Sequence, residues 1–318
     1  MNLPAFFLWT AASVLAGSAV FWLCGRELTA GLRTRTLILA LAFGVLCARA
    51  FYVLARLGFF IEIGGTAWLW PADPEWSEWG VGLGFALWGA VGGAALSGWL
   101  CTMRKPEERR RMMDLLALGG CLAIGLYRFG EFLIGEGTGP YVESDAFCFF
   151  PIAVMNEWGE WICAVFVWEG LSALIIFLIL WRGRNRRAPG ETARLFLILF
   201  CASQILWESL RRDSFLRWMF VRVSQVTAAI VLAALIVQGI RRTHTHPDLW
   251  NRRKKELITC CAVFLICTGA CIALEFAMDK SAYLSLEACY GLEALCCIAL
   301  GITACRAAMH SHNLTDKE

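Results

Sequence analysis

Apolar runs of about twenty residues recur along this chain, separated by short polar connections. A helix needs roughly 20 mostly apolar residues to cross the hydrocarbon core of a bilayer. Nine stretches fit: Ala5 to Cys24, Thr36 to Leu57, Val81 to Met103, Leu115 to Ile134, Trp161 to Leu180, Leu195 to Leu210, Trp218 to Ile240, Leu257 to Phe276 and Tyr283 to Cys305. Open strands cannot satisfy their backbone in lipid, so all nine are predicted to be helices. The first run lacks a basic segment ahead of it and a clear small-residue cleavage site, so it is read as a retained span. Composition agrees: 58% of residues are hydrophobic and only 17% charged, with a mean hydropathy of +0.59. A soluble chain of this length needs more charge to cover its surface. The pattern predicts an all-α, polytopic membrane protein.

Lysine and arginine set the expected orientation. Connections after the first, third, fifth, seventh and ninth spans hold blocks such as Arg104, Lys105, Arg109, Arg110, Arg111 and Arg252, Arg253, Lys254, Lys255. The opposite side has none between Gly58 and Gly80 or between Gly135 and Glu160. This places the N-terminus outside and the C-terminus in the cytoplasm. The two long outer loops carry Trp68, Trp70, Trp76 and Trp79, and Glu143, Asp145, Glu157, Trp158 and Glu160, and are expected to lie on the membrane surface. The net charge of +3 is dispersed in short blocks, so no nucleic-acid partner is expected. One outer connection breaks the charge rule, with Arg211, Arg212, Arg217 and Arg222. A short late loop can violate the bias; alternatively these guanidinium groups form a surface for an anionic headgroup, which they pair in a bidentate way.

Ionisable groups inside membrane helices are costly and face the protein interior. Here they are Arg49 and Arg56 in the second span, Arg128, Glu131 and Glu136 at the end of the fourth, Glu169 in the fifth and Glu208 at the end of the sixth. Arg56 can snorkel to the interface. Arg128 and Glu131 are three apart on one helical face, so they either neutralise each other or line a polar chamber opening outward. Gly130, Gly135, Gly137 and Gly139 leave the backbone bare beside these charges and permit positive φ. The fourth span is therefore expected to break open into a site.

His244, His246, His310 and His312 all fall in cytoplasmic segments, leaving no imidazole base in the spans. The cysteines lack the spacing of zinc sites and act as small apolar residues. No metal, cofactor or disulfide framework is expected. Glu275, Glu287 and Glu293 have no obvious basic partner in sequence except Lys280.

Four blocks resemble the bacterial prolipoprotein diacylglyceryl transferase family, from about residue 12 to residue 240. Cys47-Ala48-Arg49-Ala50-Phe51-Tyr52-Val53 is similar to its G-A-R-x-F-Y-V block. Asp114, Arg128, Gly130, Phe132, Glu136 and Gly139 fall without a gap on its D-x-x-A-P-x8-G-R-x-G-N-F-x-N-x-E-x-x-G signature. Trp168-Glu169 resembles its Y-E, and Glu208 through Arg211 with Ser224-Gln225 resembles its E-x-x-R and Q blocks. There are departures: the family histidine is Trp88, the signature asparagine is Glu131, and the arginine held essential in the family is Gln204.

The resemblance implies a seven-helix core plus two additional C-terminal transmembrane helices. Residues 1–242 would form the transferase-like domain, 243–256 a basic linker, 257–306 the added helices and 307–318 a cytoplasmic tail. It further implies transfer of a diacylglyceryl group from phosphatidylglycerol to the lipobox cysteine of a prolipoprotein, at the outer face of the bacterial cytoplasmic membrane. Arg128 would hold the phosphate, with Glu136 and Glu208 as its catalytic companions. Arg211, Gly139, Tyr52, Glu131, Gln204 and Arg49 would line the substrate site. Partners would be phosphatidylglycerol or another anionic phospholipid, and the prolipoprotein signal segment. The alternative is a diverged homologue that binds anionic lipid or lipoprotein segments without the chemistry. A carrier or scaffold sharing only hydropathy is disfavoured by the register of Arg128, Glu136 and Gly139.

Overall fold

The computed structural model describes residues 2–63, 84–156, 158–212, 216–218, 221–280 and 285–309. Among them are helices α1 (Leu3–Cys24), α2 (Ala30–Ala55), α3 (Leu57–Ile63), α4 (Leu87–Cys101), α5 (Pro106–Gly130), α6 (Val165–Gly183), α7 (Glu191–Leu210), α8 (Val223–His244), α9 (Pro247–Lys280) and α10 (Leu286–Met309). Two short antiparallel pairs join them: β1 (Ala153–Met155) with β2 (Trp161–Cys163), and β3 (Arg217–Trp218) with β4 (Val221–Arg222). The protein is nearly all-α, and eight described helices are long and apolar enough to cross a membrane. The third expected span, Val81 to Met103, coincides with α4, whose 15 residues fall short of that length. The Trp-rich stretch between Gly58 and Gly80 lies mostly outside the described residues, as do His310 and His312.

Two predicted helix starts are corrected. Trp161 to Cys163 and Trp218 are in strands, and the helices begin at Val165 and Val223. A short apolar run has no periodicity that separates strand from helix, and both runs lead without a break into true spans. The expected linker at 243–256 is largely helical, since α8 reaches His244 and α9 starts at Pro247.

The chain divides into two compact units. The first comprises residues 1–182 and 211–223, the second 183–210 and 224–318. Within the first, α1 packs on α5 and α2 on α4. In lipid, such pairs gain by close backbone approach rather than by hydrophobic burial. A Cβ on Gly17 or Gly119 would strike the other's carbonyl oxygen. A Cβ on Gly89 or Gly93, four residues apart on α4, would strike Cys47 or Phe43 of α2. In the second unit, α9 packs on α10 and α10 on α7. There Glu293 is fully buried and accepts a hydrogen bond from Ser209 Oγ at 2.7 Å. Glu275 accepts one from Gln225 Nε2, also at 2.7 Å. These two carboxylates thus find uncharged donors on helices remote in sequence.

Candidate functional site

Helix α5 starts with Pro106 in its first turn, followed by Glu107 and Glu108, which suit the positive end of a helix. Met112, Leu115, Leu118, Cys121, Gly125 and Arg128 recur every three or four residues and are buried. The spacing that buries the apolar face therefore carries Arg128 inward.

The helix ends at Gly130 and continues as a 3-10 turn, Glu131–Ile134. Gly135 then closes it in the left-handed region at φ 76°, and Gly137 repeats that φ. Backbone hydrogen bonds lace the following residues to neighbouring segments. Gly139 N donates to Cys163 O (2.8 Å), Phe166 N to Gly137 O (2.7 Å) and Arg212 N to Thr138 O (3.0 Å). The glycine-rich stretch is thus an ordered set of turns. Burial beside it raises the Cys163 thiol above its ordinary pKa.

Four charged side chains meet at this turn. Arg128 Nη1 lies 2.6 Å from Glu131 Oε1 and 3.3 Å from Glu169 Oε2. Arg211 Nη1 lies 3.0 Å from Glu131 Oε2 and 2.9 Å from Glu169 Oε2. All four residues are buried, Glu169 at only 1% exposure. Each carboxylate bridges both guanidinium groups, a geometry that holds the set together in low dielectric. Arg222 Nη1 donates to the Arg211 carbonyl at 2.5 Å and so fixes the backbone that presents Arg211.

The pairing of Arg128 with Glu131 is the neutralising arrangement that three-residue spacing allows. Among the described residues, Arg128 is 5% exposed and meets the Glu131 and Glu169 carboxylates rather than an open chamber. Three of the four arginines expected to form one outer surface have other engagements. Arg211 turns inward, Arg222 braces it, and the Arg212 guanidinium lies 4.9 Å from the Tyr141 ring centroid.

Arg49 and Tyr52 form a neighbouring group on α2. Arg49 Nη1 donates to Gly84 O at 2.9 Å, and its guanidinium lies 5.6 Å and 5.4 Å from the rings of Tyr52 and Phe60. The Tyr52 hydroxyl accepts from Arg56 Nη1 at 3.2 Å, so Arg56 turns to a protein partner rather than simply snorkelling. Glu136 lies close enough to both Tyr52 and Tyr127 to act on them electrostatically. Gly139 is buried and supports the turn through its amide. Glu208 and Gln204 are buried on α7 and belong to the second unit, as does Gln225, which also donates to Ile205 O at 3.1 Å. Trp88, at the expected histidine position, is buried in α4.

Glu169 had no role assigned from sequence, yet it contacts both arginines. Its signal was present as a lone carboxylate within an apolar span. Its partner Arg211 is 42 residues away in the chain, a separation that no local periodicity bridges.

Long apolar helices, glycine-mediated helix contacts and a buried arginine–carboxylate cluster define a multi-pass membrane protein with a polar centre. Comparison with known proteins specifies it further. Residues 5–240 match the family model described as prolipoprotein diacylglyceryl transferase. The chain belongs to that family, whose named members are transferases. A relative from Clostridium novyi (strain NT) is 26% identical over 65% of this chain and 78% of its own length. One from Enterococcus faecalis (strain ATCC 700802 / V583) is 24% identical over 78% and 91% respectively. One from Bacillus licheniformis (strain ATCC 14580) is 28% identical over 63% and 73%. All three are called phosphatidylglycerol–prolipoprotein diacylglyceryl transferase.

Proposed function

We propose that this protein transfers a diacylglyceryl group from phosphatidylglycerol to the cysteine thiol of a prolipoprotein, at the outer face of the bacterial cytoplasmic membrane. The observation that carries the reading is the convergence of Arg128 and Arg211, 83 positions apart in the sequence, on one buried site beside the glycine turn. Arg128 falls on the family signature and Arg211 on the separate E-x-x-R block. Guanidinium groups pair phosphate oxygens bidentately and stabilise charge that builds on a departing phosphate. The sulfur forms a bond to the glyceryl carbon, the carbon–oxygen bond to phosphate breaks, and glycerol phosphate leaves with that electron pair. The thiol proton passes to the released phosphate or to water.

Arg128 and Arg211 hold the phosphate, with Glu136 as a polar companion, and Glu208 is the further acid that the family's E-x-x-R block assigns to the reaction. Tyr52 and Arg49 shape the adjoining wall, Gly139 fixes the turn, and Glu131 and Gln204 stand at two signature positions. Residues 1–242 carry this activity, and α9 and α10 are additions to it. The charge asymmetry of the connections supports an N-terminus outside and a C-terminus in the cytoplasm.

A second reading, binding of lipid or a lipoprotein segment without transfer, is favoured by Trp88 and Gln204, which replace a histidine and an arginine of the family pattern. One assay separates the two. Purified protein with phosphatidylglycerol and a lipobox peptide should yield diacylglyceryl peptide and glycerol phosphate, and Arg128→Ala should abolish the product. Bound lipid with no product would replace the first reading by the second.

A further inference from the structure

We propose that α9 and α10, the two helices beyond the matched residues 5–240, hold α7 in the rotational setting that presents Glu208, with Glu293 and Glu275 as positioning residues. The use of that setting in catalysis rests on the transferase reading, whereas the hold itself rests on contacts within the second unit.

Helix α10 runs antiparallel along α7. Ser209 of α7 meets Glu293 of α10, and two turns away a Cβ on Gly301 would sit 3.5 Å from that of Ala202, in ordinary contact. Lipid is as apolar as the side chains between such helices. Burial alone therefore gives little preference for one rotation over another, and packing and interhelical hydrogen bonds set it. Ser209 Oγ lies 2.7 Å from Glu293 Oε2 and 2.7 Å from Leu206 O. Gln225 Nε2, on α8, directs its two hydrogens to Ile205 O at 3.1 Å and Glu275 Oε1 at 2.7 Å. Each added helix thus supplies one carboxyl group, and both ties end in the last two turns of α7. Glu293 is fully buried, so water does not replace its tie when it is lost.

Ile205 and Ser209 stand one turn apart on the gripped face of α7. Gln204 and Glu208 stand one turn apart on the adjoining face, about 100° around the helix. Both are positions of the family pattern: Glu208 opens the E-x-x-R block, and Gln204 falls where the family has its arginine. A helix with its side chains has a radius of about 5–6 Å, so a rotation of about 10° carries the end of the Glu208 side chain about 1 Å. A misplacement of about 1 Å can slow a reaction about a hundredfold. Two hydrogen bonds that fix rotation are therefore enough to matter to the rate.

The test uses the full-length chain in mixed micelles of detergent and phosphatidylglycerol, with a lipobox peptide as acceptor, and reads kcat and KM per folded molecule. Glu293→Leu removes the tie, whereas Glu293→Gln keeps an oxygen that accepts and an amide that donates. Glu293→Leu should lower kcat about ten- to a hundredfold with KM for both substrates within about twofold, and Glu293→Gln should keep kcat within about threefold of wild type. Hydrogen exchange at the amides of residues 205–210 should quicken about tenfold in Glu293→Leu and hold steady in Glu293→Gln. An unchanged kcat in folded Glu293→Leu, a loss confined to KM, or an equal loss in the two variants overturns the inference. Should Glu293→Leu fail to fold, Ser209→Ala removes the same tie from the α7 side, and an unchanged kcat there overturns it equally. A wild-type chain that yields no diacylglyceryl peptide removes the transferase reading, and the exchange pattern then decides the hold on α7: equal exchange in wild type and Glu293→Leu overturns it, and faster exchange in Glu293→Leu alone sustains it.

Discussion

Replacing Arg211 by Met tests whether the buried cluster is a shared charge balance. Arg211 Nη1 contacts Glu131 at 3.0 Å and Glu169 at 2.9 Å. Its removal leaves two buried carboxylates on the single guanidinium of Arg128. Loss of one partner from a buried ion pair costs about 3–5 kcal/mol, because the charge left behind is uncompensated. Met keeps much of the arginine stem's packing, so the loss reports charge more than a cavity. Adding Glu131→Gln to Arg211→Met restores one guanidinium to one carboxylate, Arg128 with Glu169 at 3.3 Å. The two substitutions should therefore be non-additive, with a favourable coupling of about 1–3 kcal/mol. Unfolding by sodium dodecyl sulfate in mixed micelles, followed by tryptophan emission, measures all four corners of the cycle. A single-variant cost below about 1 kcal/mol, or additive effects in the double variant, would refute the shared balance.

Gly119→Ala should cost about 1–3 kcal/mol in the same unfolding assay, because its Cβ meets the Gly17 carbonyl, whereas Gly120→Ala, facing open space, should be near neutral or stabilising. Ser209→Ala removes a donor to the fully buried Glu293 and should cost about 1.5–3 kcal/mol. Gln204→Arg should raise the rate of transfer to a lipobox peptide if the missing arginine limits turnover; an unchanged rate dismisses that explanation. In single-cysteine variants in intact cells, an impermeant maleimide should label Cys148 and spare Cys101, and the reverse pattern would overturn the proposed orientation.

The spans were legible because a bilayer imposes a length, and apolar runs such as Ala5–Cys24 and Leu257–Phe276 satisfy it. The strands at Trp161–Cys163 and Arg217–Trp218 were not, because their pairing depends on residues that turn back across an intervening loop. The ion pair of Arg128 and Glu131 could be read from three-residue spacing on one helix. The other half of the cluster could not. Glu169 and Arg211 arrive on separate segments, and nothing local in either marks the other as its partner. The donors to Glu275 and Glu293 were hidden for the same reason, since Gln225 and Ser209 sit on other helices.

The lacing around Gly139 has a mechanical consequence. Thr138 holds the Arg212 amide, Gly139 binds Cys163, Val142 binds Trp161, and Phe166 binds Gly137. The segment carrying Arg211 is therefore sewn by its main chain to the same turn that carries Glu131, and β2 is sewn to that turn from the other side. No thread slackens without loosening the next. Deuterium uptake at the Gly139, Val142, Phe166 and Arg212 amides should rise together under mild denaturant, as one opening event rather than a sequence of independent frayings.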